Sequence, residues 1–100
     1  MSYDHLIYTT HASRRMYERV IYPRDIRHVL HTGEVIEAYP DDLPLPSYLV
    51  LGWIEPEPDR RVPVHVVAAD DDADHQTHVI TVYIPNPDQW ASDYKTRTNR

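Results

Sequence analysis

The run Ser47–Ile54 (SYLVLGWI) constrains the fold more than any other stretch. Its apolar side chains occupy both alternating faces, a pattern that suits a strand in the middle of a sheet rather than one with a wet face. Its borders are sharp. Pro40–Pro46 (PDDLPLP) holds three prolines and two aspartates in seven residues, too many to sustain a ladder. Glu55–Asp59 (EPEPD) reads as a turn. Three further strands are expected around this centre. Glu34–Tyr39 (EVIEAY) precedes it. Arg61–Ala69 follows, with Val62, Val64, Val66 and Ala68 on one face and Pro63, His65, Val67 and Ala69 on the other. Thr77–Ile84 is the last, with Ile80, Val82 and Ile84 opposite Val79, Thr81 and Tyr83. The acidic run Asp70–His75 (DDDADH) is the hairpin loop between the last two.

The first third of the chain reads as helical. Thr10 can cap a helix ending near Val20, since a threonine hydroxyl accepts a backbone N–H two or three residues on. At about 100° per residue, Ala12, Met16 and Val20 make an apolar stripe for the core, with His11, Arg15 and Arg19 in the stripe beside it. Pro23 suits the first turn of a second helix, Ile26, Val29 and Leu30 have helical spacing, and Gly33 closes it. His5–Thr9 is either a short first strand or an extended lead-in, and Asp88–Arg100 can form a short helix anchored by Trp90 and Tyr94. The expected architecture is α+β: two N-terminal helices packed on a four-stranded antiparallel sheet. One hundred residues make a single domain, 1–100, with a core over about 6–90 and a polar C-terminal tail over 91–100.

Charge narrows the function classes. The formal net charge of −6 argues against a dedicated nucleic-acid binder. Its distribution softens the objection, because five of the ten basic residues lie between Arg14 and Arg27 while eleven of the sixteen acids lie between Glu34 and Asp74. Such segregation gives one basic face and one acidic edge. The absence of cysteine excludes disulfides and thiolate zinc sites and fits a cytoplasmic location. No apolar run approaches membrane-spanning length, and MSYDHLIY lacks the plan of a signal peptide.

Two side-chain groups can carry chemistry. The first is His11, Arg15, Arg19, His65 and Tyr83, with Tyr48 and Arg14 as substrate-binding candidates. RNA cleavage without a metal needs a base for the 2′-hydroxyl, cations for the phosphorane charge and an acid for the leaving oxygen. Histidine and arginine supply these roles, provided helix and sheet converge. The plain alternative is a surface helix with snorkelling arginines and a hydrogen-bonded sheet histidine. The second group, Asp70, Asp71, Asp72, Asp74, His75 and His78, has divalent-ion ligands but not the spacing of a calcium loop, so a solvated loop is the simpler reading. With Gly33 and Gly52 as its two glycines, the chain has no nucleotide cradle. No cofactor and no metal site are expected.

Several blocks resemble one bacterial family carried as a domain of unknown function. Thr10–Ile21 looks like T-x-HA-x-x-RM-x-ER-x-I. Gly33–Leu51 (GEVIEAYPDDLPLPSYLVL), VHVVAA and VITVYIP look like its later blocks, so the resemblance runs from about Ile7 to Trp90. That family is found beside zinc-finger antitoxins of the MqsA (YgiT) kind and is similar to RelE-superfamily toxins, including the MqsR and BrnT branches. The resemblance implies a RelE-like α+β fold and an mRNA endoribonuclease, the toxin of a type II toxin–antitoxin pair. Its partners would be a cognate antitoxin and RNA, with action on the ribosome and a homodimer both left open. The family's recurrent polar positions fall on His11, Arg15, Arg19, Tyr48, His65 and Tyr83. The expected roles are His11 or His65 as acid/base, Arg15 and Arg19 on the scissile phosphate, and Tyr83 as positioner or proton donor. Two alternatives remain: a non-catalytic protein-binding module that kept the fold, and a small metal-binding domain using the Asp/His loop.

Overall fold

The computed structural model describes residues 3–98. The element order is β1 (Leu6–Tyr8), α1 (Thr10–Arg19), α2 (Pro23–Thr32), β2 (Glu34–Tyr39), β3 (Ser47–Glu57), β4 (Arg60–Asp71) and β5 (Gln76–Tyr83). The sheet has five strands in the order β1-β5-β4-β3-β2, and it is mixed. This corrects the expected four-stranded antiparallel sheet. Leu6, Ile7 and Tyr8 run parallel to Thr77, His78 and Val79, which adds a fifth strand at one edge. Three residues are too few to show a period of two, so the pairing partner rather than the local pattern makes this strand. The other ladders are antiparallel, and β3 lies one strand in from the β2 edge, between β2 and β4.

Both helices lie on one face of the sheet. Ala12 and Met16 from α1 and Ile26, Val29 and Leu30 from α2 join Val50, Val64, Val66, Ala68, Val79 and Val82 in one buried cluster. The cap of α1 is Thr9, not Thr10. Its hydroxyl accepts the Ala12 amide at 3.0 Å and donates to the Ile80 carbonyl of β5 at 2.6 Å, so one side chain both starts the helix and pins it to the sheet. Pro23 opens α2, and the Asp25 carboxylate turns back to accept the Tyr22 amide at 2.9 Å. A side chain at Gly52 would come within 2.9 Å of the Val29 Cα, so glycine is what lets α2 settle onto β3. At Gly33 a Cβ would collide with the carbonyl oxygens of Val29 and Leu51, and it is this crowding, with φ at −80°, that requires the glycine.

β5 departs from simple alternation. A bulge opposite Val67 and Ala68 turns both Val79 and Val82 into the helix-side core, whereas strict alternation places them on opposite faces. The expected C-terminal helix, Asp88–Arg100, does not form over the described residues, and 99–100 lie outside them. Residues 88–98 make turns and one antiparallel bridge between Trp90 and Arg97. The Asp93 carboxylate accepts the amides of Lys95 at 2.9 Å and Thr96 at 3.1 Å, and Asn86 accepts the Asp88 amide at 2.9 Å. Such local side-chain acceptors compete directly with helical hydrogen bonds. The resulting strap lies across the sheet face that the helices leave open, with Trp90 buried against it. Among the described residues, no helix is long and apolar enough to cross a membrane.

Candidate functional site

The sheet separates the residues singled out in the sequence. His11, Arg14, Arg15 and Arg19 are all exposed on α1, with Arg15 3.8 Å from Glu18. Tyr48 pairs with Ala68 and so points to the helix side, away from His65. There its hydroxyl donates to Asp70 at 2.7 Å and lies 3.1 Å from the Tyr3 hydroxyl, while Thr77 donates to the same aspartate at 3.0 Å. Burial, then these partners, push the Tyr48 phenol far up. The arrangement is a structural tie between β3 and β4.

His65 and Tyr83 are brought together, on the opposite face. They are cross-strand partners, and the His65 ring is fully buried. Its Nε2 lies 2.8 Å from the Tyr94 carbonyl, which can only accept, so Nε2 carries the proton. Nδ1 is then the acceptor for the Tyr83 hydroxyl at 3.2 Å. Trp90 meets the imidazole edge-on at 4.5 Å between centroids. Burial holds the His65 pKa below its usual value, and the Tyr94 carbonyl opposes that in part. Burial likewise raises the Tyr83 phenol, so both groups are neutral at neutral pH. The convergence of His11, Arg15 and Arg19 with His65 and Tyr83 is therefore not realised: three sit on the helix layer and two beneath the strap.

The same open face carries residues that sequence reasoning missed. Glu37 and Tyr39 alternate along β2 on the side of Leu49 and Ser47. Arg97 reaches back from the strap and grips Glu37 with two hydrogen bonds, at 2.8 and 3.1 Å, while its guanidinium stacks over Trp90 at 4.6 Å. The Tyr39 hydroxyl donates to the same carboxylate. Arg97, as donor, holds the Glu37 carboxyl below the usual range, and burial followed by Glu37 pushes the Tyr39 phenol up to about 12. The charges of Glu37 and Arg97 act on His65 and on Tyr83 with opposite signs, both secondary to burial. A carboxylate, a fixed cation and a half-buried phenol backed by an imidazole thus share one face. The signal that could have found Glu37 is its alternation with Tyr39, but Arg97 sits in a stretch with no periodicity at all.

The acidic hairpin is not gathered around a centre. Asp70 is committed to Tyr48 and Thr77, and Asp71 and His78 stand 3.9 Å apart. Among the described residues, no group of three or more His, Asp or Glu side chains is arranged to hold an ion.

No match was found among curated proteins or among solved structures. One family profile does match, over residues 8–84, from the end of β1 to just past the end of β5. The chain belongs to that family, described as a domain of unknown function (DUF4258).

Proposed function

We propose that this DUF4258 member is a RelE-like toxin that cleaves RNA phosphodiesters without a metal, and that it is neutralised in the cell by a zinc-finger antitoxin of the MqsA kind. The observation that carries the reading is the sharing of one face by two hydrogen-bonded pairs, Glu37 with Arg97 and His65 with Tyr83. In the reaction Arg97 passes from Glu37 to the phosphate, which frees the Glu37 carboxylate to take the 2′-hydroxyl proton as that oxygen bonds to phosphorus. Arg97 neutralises the charge gathering on the non-bridging oxygens. The bond to the 5′ oxygen breaks as the Tyr83 hydroxyl turns its proton from His65 Nδ1 to that oxygen, and the phenolate is reprotonated from Glu37 through solvent. The products are a 2′,3′-cyclic phosphate and a 5′-hydroxyl end. His65 acts as a positioning residue that holds the Tyr83 hydroxyl through Nδ1. His11, Arg14, Arg15, Arg19 and Tyr48 take no part in this step.

The test is incubation of RNA with the purified protein in chelator, with the ends of the products mapped. Glu37→Gln and Arg97→Ala should each slow cleavage about a hundredfold, and Tyr83→Phe should slow it while leaving the fold intact. RNA left intact by folded wild type between about pH 5 and pH 8, the range in which histidine titrates, overturns the reading. A second reading, a non-catalytic binding module, is favoured by one observation: both ring nitrogens of His65 are bonded and the ring has no open surface. Under it the same three substitutions lower stability and change no reaction.

A further inference from the structure

Beyond Leu51, β3 loses the neighbour on its β2 side. β2 begins at Glu34, opposite Leu51, whereas β3 runs on to Glu57, and among the described residues no strand lies beside 52–57 on that side. Between this stretch, the C-terminal end of α2 and the strap lies a cavity of about 670 Å³, a size that suits a small ligand. Trp53, Glu55 and Arg61 line it from the sheet, Glu34 from the start of β2 and Lys95 from the strap. Trp53 pairs with Pro63, two residues along from the pair Leu51 and His65, which puts its half-buried ring on the strap side of the sheet.

The charged groups in this cavity are of two kinds. Lys95 and Glu34 are spent on each other at 2.9 Å. Glu55 and Arg61 are not: among the described residues neither side chain forms an ion pair or a hydrogen bond, with the other or with a third group. The Arg61 guanidinium instead lies over the Trp53 ring at 4.7 Å, a contact that leaves its N–H donors uncommitted. Tyr94 meets the same ring at 76° and 5.9 Å between centroids, so the strap braces it. One space thus holds an aromatic surface, a free fork of donors and a free carboxylate. The two free charges have opposite signs, so neither an anion nor a cation is the matching ligand. The match is a flat molecule with acceptors on one edge and donors on the next.

We propose that this cavity takes a guanine base. Guanine carries the N7 and O6 acceptors on one edge and the N1 and N2 donors on the next. Arg61 meets the acceptors as a two-pronged donor and Glu55 meets the donors as a two-pronged acceptor, while the base lies against Trp53. Adenine turns the N1 lone pair toward the carboxylate, and cytosine and uracil lack the paired donors. That the base belongs to an RNA chain rests on the cleavage reading. Lys95 on Glu34 repeats, two strap residues earlier, the grip of Arg97 on Glu37. Glu34 and Glu37 stand opposite Leu51 and Leu49, about 7 Å apart along the strand. Neighbouring nucleotides of an extended single strand span such a step, so the base held here is the one beside the scissile phosphate.

The probe is guanosine monophosphate in isothermal titration of the intact protein, with the adenosine, cytidine and uridine monophosphates as comparisons. The guanine nucleotide should bind about tenfold tighter than the other three. Glu55→Gln, at an exposed position, should remove most of that preference, and Arg61→Ala and Trp53→Ala should each weaken guanine binding about tenfold. Glu55→Gln decides the matter should Trp53→Ala fail to fold. Equal affinity for all the nucleotides, binding of none, or a guanine preference unchanged in both Glu55→Gln and Arg61→Ala overturns the proposal. A trinucleotide of uridines with a central guanosine then identifies the source of the base. Tighter binding than the mononucleotide places the base in RNA, and weaker binding overturns that part and assigns the cavity to a free guanine nucleotide. RNA left uncut alongside a guanine preference overturns the cleavage reading alone. Cleavage with no preference for sites beside guanine, unaltered in Glu55→Gln, overturns the guanine pocket alone.

Discussion

The two layers that cover the sheet solve the same problem in opposite ways. The helix layer is tied down by apolar packing and leaves its charges in water: Ala12, Met16, Ile26, Val29 and Leu30 are buried while Arg14, Arg19 and Arg24 stand outside. The strap is tied down by the buried Trp90 and by polar contacts that leave little charge unspent. Arg97 holds Glu37, Lys95 lies 2.9 Å from Glu34, and the Tyr94 carbonyl accepts from His65. A layer held by apolar contacts can present a charged outer surface to something else. A layer held by its own ion pairs and hydrogen bonds has its polarity turned inward, and its chemistry depends on how firmly it stays closed.

The sharpest way to break this comparison is at Trp90, the buried aromatic anchor of the strap. Trp90→Ala should cost about 3 kcal/mol in denaturant unfolding, and hydrogen exchange should rise at residues 85–98 and around His65 while α1 and α2 stay protected. A loss spread evenly over both layers would mean that strap and helices form one cooperative unit.

The next largest effect is one of pH. The folded-state pKa of His65 is depressed, so above the unfolded value of 6.5 both states are neutral and stability is full. As pH falls below 6.5 the unfolded chain takes up the proton first, and stability declines until the depressed folded value is passed. Unfolding titrated against pH should show a slope of up to about 1.4 kcal/mol per pH unit in that window. His65→Asn should remove the slope, and an unaltered slope in that variant would assign it to another group.

The smallest effects are at the charges. Arg97→Ala breaks a two-pronged contact to a half-buried carboxylate and should cost about 1 kcal/mol. Arg15→Ala breaks an exposed pair on the helix and should cost less than about 0.5 kcal/mol. Thermal melts of the two variants side by side check the ranking, and equal costs would erase the distinction between the layers.

Punctuation made the helical third legible. Pro23 and Gly33 bracket α2, and the spacing of Ile26, Val29 and Leu30 identifies its buried face. The strand Ser47–Ile54 was readable for the same reason, although β3 runs on to Glu57 through Pro56. What the pattern did not carry is which face the helices cover. Leu49 and Leu51 look as buried as Val50 and Ile54, because the strap shields one set and the helices the other. Without that, His11 and His65 could be imagined on one side. The strap itself is held by Asx-type acceptors at Asn86 and Asp93 and by contacts to residues sixty positions away, such as Glu37 with Arg97. Neither leaves a periodic trace.

The parallel pairing of β1 with β5 has a consequence for the order of assembly. Leu6 finds its neighbour at Thr77, so the first strand waits at the edge until the last one exists. During synthesis α1 and α2 emerge long before the surface that buries their apolar stripes, and Thr9 cannot bond Ile80 until β5 has left the ribosome. Closing so long a loop early is costly in chain entropy, which places the β1–β5 contact late in folding and makes the pathway slow for a chain of this size. Until then Met16, Ile26 and Val29 are open to whatever meets the nascent chain first.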